Sequence, residues 1–542
     1  MIKKMKKLIL LFSLFTMTSV FSQVSQQWAA RYNAFTGSNE NIYDILVDGS
    51  GNTYVCGSSD SSVTMSDAIV LKYNSTGTLL WSSRYNGPAN AYDAAYGMAI
   101  DNSGNIYYTG FSQGSGTGND LVIVKLNPSG VQQWAFRING TSNQSDYGIS
   151  IAVDNSGNVF CAGIVNRVSS NEDLAVVKLN SSGTQQWIEY YNWVNGFDGA
   201  QKLMLDASGN VYVSGRSLNA SNNYDIITLK YDNAGANQFT VRFNGIPNKD
   251  DYINNMVIDA SGNVYLCGTS STVSSGNEGV LIKYNNSGTE QWVAKYNYSG
   301  AFDDGFEDIK TDNNGNVFVC GYSESNTNVS NYTTIKYTSG GAVSWVQRYS
   351  GPIASSDGAR SLFLDNSQNV YVTGSGFGIN TDYDIVTIKY TNAGSQLWDQ
   401  RYNFAGGQDL GIKTIGDNSG NVYIAGTSYS PSNPDMVIIK YSQPLGIQPV
   451  TGNIPQDYSL SQNYPNPFNP ATKIDFNLPK SGFTSISVFD VTGKLVQKLA
   501  NENLPAGKYS IDFNAADLTS GIYFYRINSG SFSETKKMIL TK

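Results

Sequence analysis

Along most of the chain, short runs in which apolar and β-branched residues alternate with polar ones are closed by turns of Gly, Asn, Asp and Ser. A period of two marks strands with one buried face. The runs come in fours, as at residues 96–100, 106–110, 121–126 and 133–138. The turn Asp101-Asn102-Ser103-Gly104-Asn105 has near-copies beginning at Asp48, Asp154, Asp206, Asp259, Asp312, Asp365 and Asp417, a period of 52 or 53 residues. Four strands and four connections fill that period, which predicts one antiparallel blade per repeat and a β-propeller. The alternative, an open solenoid, needs capping units, and neither end of the array resembles one.

The ends of the array set the blade count. The aromatic marking the fourth strand (Trp28, Trp81, Trp134, Trp187, Phe239, Trp292, Trp345 and Trp398) first occurs ahead of any complete repeat, and the last repeat stops after its third strand at 436–441. Strand 28–33 is therefore expected to complete the eighth blade and remove both exposed edges. Two hairpins per blade are short and uniform, with Gly where a positive φ is wanted, except that Gln368 replaces Gly in the seventh repeat. The other two connections vary and lie together on the opposite face, the expected place for binding.

Residues 1–7 are basic and 8–21 apolar, which reads as a secretory signal over 1–22. The propeller occupies 28–441, and residues 442–458, with Pro444, Pro449, Gly452 and Pro455, read as a linker. In 459–542 the long period vanishes, and short alternating runs predict a small antiparallel β-sandwich. The net charge of −8 without basic runs argues against a nucleic-acid partner, and no later run is apolar enough for a transmembrane segment. The sequence contains no histidine, which excludes Ser-His-Asp and Cys-His nucleophiles and His-ligated zinc. Any catalysis falls to carboxylates, Tyr, Lys or Arg.

Asp251, Asp259, Gly262, Asn263, Tyr265, Gly268, Lys283, Gly288, Thr289 and Trp292 follow the order of a bacterial pattern, and the repeats over about 410 residues resemble the SBBP family. That name implies seven blades, against the eight counted here. It carries no defined reaction. The segment Tyr464, Pro465, Asn466, Pro467, Phe468, Asn469, Pro470, then Thr472 and Ile474, a turn ending at Gly493, Gly507, a strand through Gly521 and the closing Lys536, Lys537 and Met538 is similar to the type A sorting domain of the type IX secretion system of Bacteroidetes. The resemblance implies that export machinery as a partner, passage across both membranes, removal of the domain, and release or attachment at the cell surface.

Eight residues before each turn Asp stands an acid: Glu40, Asp93, Asp146, Asp198, Asp251, Asp304, Asp357 and Asp409. Converging at one channel mouth, they form a candidate Ca²⁺ site, because hard cations want oxygen donors; alternatively each caps backbone N–H groups. Trp193, Phe197, Tyr298, Phe302 and Phe404 occupy variable connections and are candidate sugar-stacking groups, or covers for their own loops. A spacing of seventeen residues sets Asp67, Asp120, Asp225, Glu278 and Asp384 nearly opposite Arg84, Arg137, Arg242, Lys295 and Arg401, and places Asp435 beside Arg31 at ring closure. Lysines at one third-strand position, Lys72 to Lys440, are expected to lay their stems on apolar surface and keep their charge in water. Cys56, Cys161, Cys267 and Cys320 are expected to be free and buried, since facing sheets lie too far apart for bridges. The chain thus reads as a secreted or surface-attached binding protein for a glycan or a protein. A carboxylate-dependent polysaccharide-degrading enzyme and a purely structural surface component are the alternatives.

Overall fold

The computed structural model describes residues 24–542 except 169–170, 247–248, 274–275, 300–301, 326–328, 354, 418–419, 430–432, 443–447, 451–453 and 516–517. The segment 1–22, read as a signal, lies outside the described residues. The chain divides into two compact units, one of Ser25–Ser442 and one containing Gln443–Lys542. Among the described residues no helix is long and apolar enough to cross a membrane.

The first unit is an eight-bladed propeller. Blade 1 runs Glu40–Val47, Thr53–Asp60, Ser66–Tyr73 and Leu79–Tyr85 from inside to outside, each strand antiparallel to the next. Blades 2 to 7 repeat this order, and blade 8 takes its fourth strand, Ser25–Tyr32, from the start of the array, paired with Pro434–Ser442. First strands of neighbouring blades approach one another around the axis. The four cysteines are buried and free.

On the uniform face each turn Asp ties its own loop. The Asp101 carboxylate accepts the backbone N–H groups of Ser103 and Asn105, both at 2.9 Å, then Asn105 Nδ2 at 2.8 Å and Tyr107 Oη at 3.0 Å. On the same side blades are stitched together by Trp and Lys. Trp134 Nε1 and Lys125 Nζ both donate to the Ser181 carbonyl of the next blade, at 3.3 and 3.2 Å. Trp28 and Lys440 do the same to Ser75, which joins blade 8 to blade 1. Gly77 sits at φ 83° under the Trp28 indole, and a Cβ there would lie 2.6 Å from the ring, so both backbone and contact demand glycine.

The lysines therefore do more than snorkel. Each of the eight ammonium groups lies 4.9–5.2 Å from the centre of the facing second-strand ring, and Lys230 and Lys389 are buried. A ring face lies beside every one of these charges, and Lys125, Lys178, Lys230, Lys336 and Lys440 also donate to a carbonyl of the next blade.

The second unit contains two four-stranded antiparallel sheets over a shared core that includes Ile474, Phe476, Ile486, Val488 and Tyr525. Part of the segment read as a linker, Gln448–Val450, adds an edge strand beside Gly507–Asn514.

Gln368 keeps the left-handed backbone of the glycine it replaces, at φ 61°. A side chain there costs about 1–2 kcal/mol, partly offset by the freedom that glycine adds to the unfolded chain. Gln368→Gly is expected to stabilise the propeller by up to about 1 kcal/mol in reversible denaturant unfolding; an unchanged or lower midpoint would contradict this account.

Candidate functional site

The variable face is ordered by a polar clamp that draws on all four strands of a blade. In blade 2, Asp93 at the start of the first strand accepts the Gly87 N–H of the incoming loop at 2.9 Å. Ser112 of the second strand meets Arg137 of the fourth at 2.5 Å, and Arg137 pairs with Asp120 of the third at 2.6 Å. The seventeen-residue pairs all form: Asp67–Arg84, Asp225–Arg242, Glu278–Lys295, Asp384–Arg401 and, at closure, Asp435–Arg31 at 2.6 Å. They are diagonal rather than opposite, because Arg84 is the Cα partner of Ile69. Blade 3 lacks the fourth-strand arginine, and Arg167 of its second strand pairs with Asp173 instead.

The eight acids are part of this clamp. Every one is buried, and each accepts the N–H of its own incoming loop, at Ala34, Gly87, Gly140, Trp193, Gly245, Tyr298, Gly351 and Phe404. Among the described residues no three acidic, Cys or His side chains lie close enough to share a metal ion. Glu40, Asp93, Asp146, Asp198, Asp251, Asp304, Asp357 and Asp409 thus each hold a loop of their own. A buried carboxylate is costly unless its hydrogen bonds are supplied, and the loop amides supply them.

Three of the five loop aromatics cover the clamp arginines. Arg242, Arg348 and Arg31 lie 4.9, 3.4 and 3.6 Å from the ring centres of Trp193, Tyr298 and Phe404. Phe302 is half-buried and lines no part of the cavity over blades 3 to 6. Phe197 alone of the five does so.

That cavity comes from a feature invisible in the repeat spacing. Every first strand carries a β-bulge three residues after its clamp acid, as where the register jumps from Ile42 to Asp44. A bulge breaks the alternation of faces. The bulge residues Ile149, Gln201, Asn254 and Glu307 of blades 3 to 6 form one wall of a cavity of about 410 Å³. A second row, the residue after the second-strand glycine in the same blades, is Ile164, Arg216, Thr269 and Tyr322, with Phe197 and Tyr252 beside it. Gly199 and Gly305 leave room for the Phe197 and Tyr322 rings, which would lie 2.6 and 2.8 Å from a Cβ. Over blades 1 and 2 these rows pack differently: Tyr43, Tyr96 and Phe111, with Tyr147 of blade 3 beyond them, form a chain of rings with centres 5.0, 5.6 and 5.6 Å apart.

Arg216 lies 4.8, 5.1 and 5.8 Å from the ring centres of Phe197, Tyr224 and Tyr252. Burial raises the Glu307 carboxyl, against the opposing charge of Arg360. The second row could have been found by aligning repeats column by column. Its eight members are Ser58, Phe111, Ile164, Arg216, Thr269, Tyr322, Ser375 and Thr427, with one charged residue among them.

Residues 462–541 match the secretion system C-terminal sorting domain, and residues 133–163 and 238–272 match the SBBP β-propeller repeat. The protein is therefore secreted or attached to the cell surface, and the sorting domain implies the type IX secretion machinery as its partner in export. No curated protein sequence matches the chain. Among solved structures it is similar to a fungal alcohol oxidase of the AA5 family in complex with copper, at 13% identity and a TM-score of 0.38 over 96% of this chain and 100% of that one. It is also similar to PorZ, a surface component of the type IX secretion system of Porphyromonas gingivalis, at 11% and 0.25 over 92% and 75%. A third is a PL25 ulvan lyase, at 12% and 0.39 over 69% and 95%. Scores this low leave ligand and activity to be argued from the residues themselves.

The clamp has a pH signature. Desolvation outweighs the loop hydrogen bonds and raises Asp146, Asp198 and Asp304 to about 6; in Asp304 the oxygen not bonded to Tyr298 is buried without a partner. A folded value above the unfolded one near 4 means tighter proton binding in the fold, so stability falls as pH rises between about 4 and 6. The melting temperature is expected to be higher at about pH 5 than at about pH 7, with a smaller slope in an Asp146→Asn, Asp198→Asn, Asp304→Asn variant. An identical slope in that variant would refute the assignment.

Proposed function

We propose that this secreted or surface-attached propeller is a receptor that binds a glycan in the cavity over blades 3 to 6. The single observation that carries this reading is the joint presence there of aromatic rings and outward polar groups at positions where the repeats differ. Phe197, Tyr252 and Tyr322 offer apolar ring surface to the C–H groups of a sugar, and Gln201, Arg216 and the amide oxygen of Asn254, whose Nδ2 donates to the Phe306 carbonyl at 2.8 Å, offer hydrogen-bonding groups to its hydroxyls. A cavity of about 410 Å³ lies in the range of small-ligand sites. The adjoining surface, bounded by Asn166, Asn171, Glu172, Asn195, Asn219 and Asn222, is rich in hydrogen-bonding side chains and extends the site along the variable face, as a chain of several sugars requires.

The enzymatic alternative has one observation in its favour, the raised carboxyl of Glu307, a property suited to a general acid. A glycosidase needs a second carboxylate across the scissile bond. The neighbouring Asp308 is held below the usual carboxylate range, Lys310 being the strongest lowering influence, and accepts the N–H groups of Ile309 and Leu362. Among the described residues no other acid lines the cavity itself, Glu172 bordering only the adjoining surface, which favours binding over hydrolysis.

On a glycan array probed with the full chain, Tyr252→Ala is expected to lower apparent affinity roughly tenfold, from a lost ring contact of about 1–1.5 kcal/mol. Trp193→Ala should leave it unchanged, because that ring covers Arg242. The reverse ranking would move the site to the loops.

A further inference from the structure

The chain is acidic, with a net charge of −8, yet its channel is not. Apart from the clamp acids, the eight first strands carry Lys202, Lys310, Arg360 and Lys413 against Asp44, Glu307 and Asp308. Two lysines are neutralised in place, Lys413 by Asp44 at 2.6 Å and Lys310 by Asp308 at 2.9 Å. Among the described residues, no side-chain hydrogen bond or ion pair engages Lys202 or Arg216, and Asp44 and Asp308 act on Lys202 through charge alone. Lys202 follows the cavity-lining Gln201 directly, at the residue where the register resumes after the bulge.

The surroundings of Arg216 fix what it offers. Rings of Phe197, Tyr224 and Tyr252 surround the guanidinium, and ring contact leaves its N–H groups free to donate. Those groups form a planar fork that matches the two oxygens of a carboxylate or sulfate. All six clamp arginines, by contrast, are committed to serine, aspartate or backbone oxygens. Resting on the glycan reading above, we infer that the saccharide taken by this cavity is anionic, its carboxylate or sulfate seated on the fork of Arg216 with the ammonium of Lys202 drawing the charge toward the channel. Desolvation lowers Lys202 to about 8, so its ammonium form gains from an arriving anion. Glu307 opposes an anion in the same cavity. Arg360 counters it electrostatically, and burial weakens its charge.

The test uses the full chain and two probe pairs in titration calorimetry at low and moderate salt: oligogalacturonate with its methyl ester, and dextran sulfate with dextran. The inference expects the charged member of at least one pair to bind at least about tenfold more tightly than its neutral counterpart, with the preference shrinking as salt rises. Preference in the first pair alone marks a carboxylate ligand, and in the second alone a sulfate. Arg216→Met, whose thermal unfolding checks the fold, should abolish the preference, and Arg216→Lys should restore part of it, since a lysine lacks the fork. Equal binding of charged and neutral members, or a preference that survives Arg216→Met, overturns the inference and leaves the glycan reading standing. A glycan array and both probe pairs without any bound saccharide would overturn both.

Discussion

Everything in this molecule depends on closing a ring. A four-stranded blade buries its faces only against its neighbours, so the first and last blades of an open array would each expose a face and a row of unpaired backbone groups. The chain solves this by pairing Ser25–Tyr32 with Pro434–Ser442 inside one sheet. Closure is then repeated in other materials: Arg31 pairs with Asp435, Trp28 and Lys440 reach Ser75 of blade 1, and Lys413 meets Asp44 in the channel. All but the Trp28–Ser75 bond join residues from opposite ends of the array, and most have a counterpart between ordinary neighbours. The seam is therefore as well bonded as the other seven joints.

Closure also divides the labour between faces. On the uniform face the Asp turn, the glycine under the indole and the Trp–Lys pair leave little freedom, since each group already has its partner. On the variable face the clamp performs the same service at the base of each loop, tying an acid, a serine, a second acid and an arginine from four strands to one amide of the incoming chain. Loops anchored at both ends in this way vary in sequence without disturbing the sheet beneath. Trp193, Tyr298 and Phe404 belong to that anchoring, as lids on the guanidinium groups.

The parts legible in the sequence were those that repetition makes redundant. A spacing of seventeen recurs often enough to disclose the Asp–Arg pairs, the stray Trp28 discloses the closure, and the motif from Tyr464 to Pro470 discloses the sorting domain. The bulge was illegible because each blade has one at the same residue: an insertion shared by all copies leaves the period unchanged. Without it, Gln201 and Lys202 read as an alternating pair, one inward and one outward, and the channel lining is missed. The acids were read two ways, as a ring converging on one channel mouth or as caps on their own strands. The loop N–H that each accepts shows how a residue needed eight times serves each blade separately.

That distinction decides where to look for specificity in a closed ring. A ligand of ordinary size cannot present eight identical groups to eight identical positions, so a feature kept in every copy is best understood as serving the scaffold, and recognition falls to columns where the copies disagree. Here the copies disagree in the two rows that line the cavity. One arc is filled by rings touching edge to face, which removes space, and the other combines small residues, amides and a lone guanidinium at a position held elsewhere by Ser, Thr, Ile, Phe or Tyr. Glycines at 199 and 305 let neighbouring rings fold down beside the opening, so even the aromatic walls depend on local departures from the repeat. The propeller thus gains an asymmetric pocket without altering its backbone plan, because the bulge had already turned an additional side chain from every blade toward the axis.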